Sequence, residues 1–202
     1  MGLLRGSTAT LVLLLAADVA WGQVVESFRG HTWGTHRSAI PELAEADARE
    51  APNGMTAYGI EAKLLGYAGT AFFLFDPDSD ELLEGIYIFP LETENCTRAW
   101  TDFEKALAEE FPSLRIERFK DDWDEKQQRI YDSFCEFYVF NAKSKNWITR
   151  FRNADTELVE VGMAMGVQGL RPRLNILYLS EEAVSWDGKR EEETASLEDR
   201  GP

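Results

Sequence analysis

Thr70–Phe89 reads TAFFLFDPDSDELLEGIYIF, two apolar runs, Ala71–Phe75 and Leu82–Phe89, joined by a short acidic turn. The pattern predicts a β-hairpin that forms the spine of a sheet. Side chains alternate along a strand, so Phe72 and Leu74 share one face while Ala71, Phe73 and Phe75 share the other. On the return strand Ile86 and Ile88 lie opposite Tyr87 and Phe89. β-Branched and aromatic residues suit a pleated buried surface. With both faces apolar, the hairpin is expected to be covered on both sides.

The connecting residues, Asp76-Pro77-Asp78-Ser79-Asp80, have turn chemistry: proline presets φ, and aspartate bonds its own backbone. Asp76, Asp78 and Asp80 also fall at the 1, 3, 5 spacing of calcium loops. The sixth position is Glu81 where an EF-hand needs glycine, and the twelfth is Tyr87 where it needs glutamate. A solvated turn is the favoured reading and a calcium site the alternative.

Upstream, Arg5 followed by the apolar run Leu11–Ala17 and by Ala20-Trp21-Gly22 has the charge, apolar and small-residue order of a signal peptide. Cleavage is expected before Gln23, leaving 23–184 as the folded unit. The apolar run is shorter than the ~20 residues that span a bilayer. The chain is therefore expected to be exported, periplasmic or secreted, and soluble, without an integral membrane segment. Its net charge of −15 disfavours nucleic acid and anionic lipid as partners. With 44% hydrophobic residues and six tryptophans it has the material for a core. The stretch 185–202 is polar, charged and non-periodic, and reads as a disordered acidic tail.

Cys96 and Cys135 are the two cysteines. Export favours pairing them, and the bridge would close a loop of about 40 residues, worth roughly 3–4 kcal/mol in the loop-entropy model. Both also sit among apolar neighbours, where cysteine serves as a small hydrophobe. Pairing is slightly favoured.

Beyond the hairpin, Cys96, Ala99, Trp100, Phe103, Leu107 and Phe111 recur every three or four residues and draw one helical stripe. Asn95 is the expected cap, in preference to reading Asn95-Cys96-Thr97 as a sequon, and Pro112 ends the helix. Ser38–Glu45 predicts a short helix capped by Ser38. Met55–Ile60 and Glu61–Tyr67 predict strands interrupted by Gly59 and Gly66, and Leu114–Phe119 alternates like a half-exposed strand. Trp123, Gln127, Ile130, Tyr131, Phe134 and Tyr138 share a helical face, extended to about Glu136, although Phe137–Phe140 is also good strand material. Trp147–Arg152, Leu158–Met165 and Leu174–Ser180 complete the strands, with Gly166–Pro172 as the last turn. This order predicts an α+β fold, antiparallel β-meander sheets packed by two or three helices. Two similar halves with a break near residue 92 are compatible with it.

The pattern Phe28-x-Gly30-x-x-Trp33-Gly34-Thr35, with Leu82-x-x-Gly85-x-Tyr87-x-Phe89 after the turn, resembles small exported bacterial proteins of uncharacterised function. More distantly it resembles the small lipoproteins of the outer-membrane β-barrel assembly machinery. The matching residues span roughly the first third of the chain after residue 22, and the lipobox cysteine of such lipoproteins is missing. The resemblance implies two helices against a three-stranded antiparallel sheet and an envelope location. It implies no activity.

Candidates for chemistry are few. His31 and His36 are the only histidines, too few for a zinc set of three or four ligands. No G-x-S-x-G elbow, P-loop or C-x-x-C occurs, and Cys96 has no base beside it in sequence. Arg150, Arg152, Arg171 and Arg173 are the one basic feature. Arg150 and Arg152 share a strand face, where they could bind an anion or carboxylate or cover the sheet with their stems. The leading expectation is a non-enzymatic binding or envelope-assembly module for an envelope or secreted protein. Calcium binding through the acidic turn is second and an unrecognised hydrolase third.

Overall fold

The computed structural model describes residues 25–120, 134–141, 147–168 and 171–184. The segment 1–22, the stretch from Trp123 to Tyr131 and the tail 185–202 lie outside the described residues. The chain opens with a small ribbon, β1 (Ser27–Phe28) paired to β2 (His31–Thr32), and two 3-10 turns, Arg37–Ala39 and Pro41–Leu43. There follow β3 (Ala48–Glu50), β4 (Thr56–Leu64), β5 (Tyr67–Phe75) and β6 (Leu82–Pro90). The second half carries α1 (Cys96–Glu110), β7 (Arg115–Lys120), α2 (Phe134–Asn141), β8 (Trp147–Arg152), β9 (Val159–Gln168) and β10 (Arg171–Leu179). The eight strands β3 to β10 form one antiparallel sheet in the order β3-β4-β5-β6-β10-β9-β8-β7. Each half is thus a four-stranded meander, and the last strands of the two meanders meet at the centre.

The architecture is mostly antiparallel β with a few helices rather than a balanced α+β fold. It also exceeds the three-stranded sheet that the lipoprotein resemblance implies. The central hairpin forms as its residues dictate: β5 and β6 pair antiparallel, Phe73 opposite Gly85 and Ala71 opposite Tyr87, with a bulge between Leu74 and Phe75. Asp80 takes a left-handed φ of 57° in the turn, a conformation aspartate tolerates.

One face of the sheet builds the main core. Phe73, Phe75, Phe89, Leu174, Ile176, Met163 and Phe151 are all buried there. The apolar stripe of α1 packs on them, with Phe103 stacked on Phe89 at 4.8 Å and Trp100 against Trp147 at 4.9 Å. A polar tie adds direction, since Thr149 Oγ1 and Arg118 Nε both donate to Glu104 of α1, at 2.7 and 3.0 Å. Cys96 and Cys135 form a disulfide that pins α2 to the start of α1. The Tyr138 hydroxyl of α2 donates to the Met165 carbonyl. Phe28 of β1 lies over Gly85, where a Cβ would run into its ring.

Several expectations change. The segment after Ser38 forms two 3-10 turns, and the cap is the His36 imidazole, which accepts from Ser38 N–H at 3.3 Å; Pro41 opens the second turn, where its missing N–H is harmless. Asn95 stands at the N-cap of α1 but makes no side-chain cap bond, because its Oδ1 accepts from Glu92 N–H instead. Gly59 does not interrupt β4, and only Gly66 falls in a turn. Phe137–Phe140 is helical, with Cys135 tethered beside it. The strands β9 and β10 run to Gln168 and from Arg171, shortening the expected last turn.

The largest difference concerns the hairpin's second face. Among the described residues it is covered only at one end, where Leu74 and Leu83 bury with Met55, Ala57 and Ala183. Along the rest, Phe72, Ile86 and Ile88 remain partly exposed. Apolar alternation tells which side chains share a face but not how much chain is left over to cover it.

Candidate functional site

The uncovered face is ordered by strand register. One row crosses six strands as Thr70, Ile88, Asn175, Ala164, Ile148 and Phe119. The next crosses the same strands as Phe72, Ile86, Leu177, Gly162, Arg150 and Glu117. Neighbouring strands lie about 4.8 Å apart, so each row spans roughly 24 Å. Phe119 is 44% exposed at the far end, with the Arg150 guanidinium 5.0 Å from its ring centre. At the near end a groove of about 370 Å³ runs between Phe72, Ile86 and Ile88 and the loop Ala51–Asn53. Thr70, Asn175, Arg150 and Glu117 interrupt the rows, which leaves two apolar stretches, one of Phe72, Ile86 and Leu177 and one of Ala164, Ile148 and Phe119; exposed apolar patches mark interaction sites.

The four arginines all rise from this face, but the structure does not gather them into one pocket. Arg152 is held by Glu117 at 3.3 Å and Glu157 at 3.6 Å, and Arg115 joins the same two carboxylates at 2.8 and 2.6 Å. Arg171, at the rim, meets Glu92 at 3.6 Å. Arg150 and Arg173 meet no carboxylate within ion-pair distance among the described residues. Arg173 lies across Gly166, whose missing Cβ leaves the space; the Asn175 amide sits beside it. Arg173 Nε and Asn175 Oδ1 are buried and unbonded. Asn175 and Phe119 escape a search by residue type, because their significance comes from register.

The acidic turn takes its own side chains inward. Asp76 Oδ1 accepts from the Asp78 and Ser79 N–H groups at 2.7 and 3.2 Å. Asp80 Oδ2 lies 3.5 Å from Arg37 Nε and 3.7 Å from His36 Nε2. Among the described residues no three of His, Cys, Asp and Glu could hold a metal ion together. Asp76, Asp78 and Asp80 therefore do not converge, and millimolar calcium is expected to leave the thermal midpoint within about 1 °C of its value in chelator. A saturated site would add about 1.4 kcal/mol or more at tenfold excess, a rise of at least 2 °C at this size.

Elsewhere, a cleft of about 420 Å³ lies between the first strand and the chain after β10, lined by Trp33, Leu158, Glu160, Glu181 and Val184 among others. Glu160 is 5% exposed and accepts from Val25 N–H at 3.2 Å. Burial holds its carboxyl above the usual range, and the nearby Glu181 charge adds to that, against the bonds from Val25 and Asn153. A carboxyl whose pKa is higher in the folded state than in the unfolded one favours folding when protonated. Its ionisation therefore lowers stability as pH rises through the carboxylate range. Glu160→Gln, which keeps an acceptor for Val25, is expected to raise the thermal midpoint at pH 7.5 and to lose that advantage at pH 4. Equal midpoint changes at both pH values would contradict this.

No protein-family model matches the chain, and no curated protein or solved structure matches it either.

Proposed function

We propose that the protein is an exported, non-enzymatic binding module that takes its partner, a protein of the envelope or the secreted space, on the uncovered face of its sheet. The observation that carries this reading is the face itself: two rows across six strands, apolar at Ile88, Ala164, Ile148 and Phe119 in one and at Phe72, Ile86 and Leu177 in the other, partly exposed beyond the end that Met55, Ala57 and Ala183 cover. The reading of export rests on the N-terminal charge–apolar–small pattern, and the Cys96–Cys135 bridge accords with an oxidising compartment. No described helix is long and apolar enough to cross a membrane.

The test is selection of short displayed peptides on the full chain, followed by measurement of the winners on Leu177→Lys and Ile148→Lys. Both positions are partly exposed, so a lysine there can reach solvent while placing a charge in the middle of a row. Winners should lose at least tenfold in affinity on both variants. Winners that bind variants and parent alike would place the binding surface elsewhere.

A further inference from the structure

We infer that the uncovered face recognises an extended polypeptide segment whose carboxylates meet Arg173 and Arg150 while the apolar side chain between them lies on Ala164 and Ile148. This rests on the reading of the face as the binding surface and names the partner's chemistry. Three observations carry it.

The first is charge. In a chain of net charge −15, Arg150 and Arg173 rise from the apolar rows with no carboxylate at ion-pair distance among the described residues. The carboxylate nearest Arg150 in register, Glu117, is engaged by Arg115 and Arg152. Arginine presents donors in a fixed fork that fits a carboxylate edge-on.

The second is the pair of buried, unbonded atoms. Arg173 Nε is a donor and Asn175 Oδ1 an acceptor on neighbouring positions of this face; Arg173 Nε and the Asn175 amide nitrogen lie over Gly166, and Arg152 Nε is a third buried, unbonded atom on the same face. Buried polar groups are normally bonded, so such a pair calls for a ligand that brings both an acceptor and a donor. A peptide segment brings a carboxylate or carbonyl for the arginine and a backbone N–H for the asparagine. A DNA sugar–phosphate backbone brings acceptors only, and the chain's own charge opposes any long polyanion.

The third is spacing. Arg173 pairs with Gly166 on β9, and Arg150 pairs with Gly162 on the same strand. Two interstrand steps and four residues of rise separate the two arginines, about 17 Å between Cα atoms. An extended segment crossing the strands obliquely places residues i and i+4, which share a face, about 13 to 14 Å apart, and the side chains cover the remainder. Residue i+2 of that segment falls on Ala164 and Ile148, where the surface is flat and apolar. At the far end Phe119 backs the Arg150 guanidinium and holds it flat against the sheet.

The experiment measures fluorescence anisotropy of a rhodamine-labelled peptide carrying Glu-Thr-Leu-Thr-Glu against the full chain at 50 mM salt. A Lys-Thr-Leu-Thr-Lys peptide and labelled oligothymidylate serve as comparisons. The glutamate peptide should bind, weaken at 500 mM salt, and lose at least tenfold on Arg173→Glu and on Arg150→Glu. Arg150 is exposed, so that variant folds whatever the fate of the other. Absence of binding by the glutamate peptide, equal binding of the lysine peptide, preference for oligothymidylate, or indifference to both arginine reversals would each overturn the inference. Failure here together with selected peptides that still depend on Leu177 would sink the acidic partner and leave the binding face standing.

Discussion

Phe28→Ala is expected to destabilise the protein by roughly 3–5 kcal/mol, the range for emptying a buried phenylalanine site. Phe28 is 1% exposed, although it belongs to a two-residue strand at the start of the described chain. Its ring sits 5.0 Å from Phe73, 4.9 Å from Tyr87 and 5.5 Å from Tyr178, so its removal opens a hole in the middle of the aromatic cluster. Against a total stability of about 5–15 kcal/mol for a domain, that is roughly a fifth or more. The ring lies where Gly85 has no side chain, and Gly85→Ala would drive a methyl into it. That single change is expected to destabilise by at least 2 kcal/mol through displacement of Phe28, within the cost of overpacking a filled core. The two effects should not add, because the new methyl occupies space that Phe28→Ala vacates, and contacting residues couple. Urea unfolding of both single variants and the double variant measures the coupling. Simple additivity would mean that the ring and the glycine do not share one space.

Reduction of the Cys96–Cys135 bridge is expected to lower stability by roughly 3–4 kcal/mol, and a Cys96→Ala, Cys135→Ala variant should match the reduced parent. The bridged residues are separated by 39 positions, and the enclosed segment gains most of its freedom in the unfolded chain when the link is cut. Both sulfur atoms belong to fully buried residues, so alanine leaves small voids, and the Thr97 hydroxyl that lies 3.3 Å from Cys135 Sγ is exposed to water. Urea unfolding with and without reductant reads the effect directly. A parent whose midpoint ignores the reductant would show that packing around Tyr138 and Trp100 holds α2 without the link.

Much of this architecture was legible in the residues. The hairpin strands follow from alternation, and α1 ends one residue before Phe111, the last member of its apolar stripe, as Pro112 requires. Other parts depended on information that no local pattern carries. Phe28, with Trp33, Ile40 and Leu43, is readable as a residue that could pin the first segment to the sheet, and it is buried there; what no local pattern carries is that its place is opened by a glycine 57 positions away, Gly85. Asn95 has the right type for a cap, yet its side-chain oxygen found the Glu92 N–H first. Phe137–Phe140 has strand composition and becomes helix through its tether and packing, the usual override of propensity by tertiary context. The arginines were visible as a basic cluster, but which two meet no carboxylate among the described residues depends on Glu117 of β7, Glu157 of the turn before β9 and Glu92 of the loop after β6. Asn175 gained its role only from the strand beside it.

The strand order has a further meaning at its two ends. The outermost strands are β3 and β7, and these are where a sheet can recruit another chain by backbone pairing. β3 is three residues long and carries Arg49 and Glu50, while β7 alternates Arg115, Glu117, Arg118 and Lys120 with its apolar residues. Brevity on one side and dense mixed charge on the other discourage a guest strand from zipping on. An eight-stranded sheet with apolar rows on an open face would otherwise be a template for fibres. Because both lateral routes are guarded, edge-to-edge growth of the sheet is discouraged even though apolar side chains on its broad surface stay partly exposed.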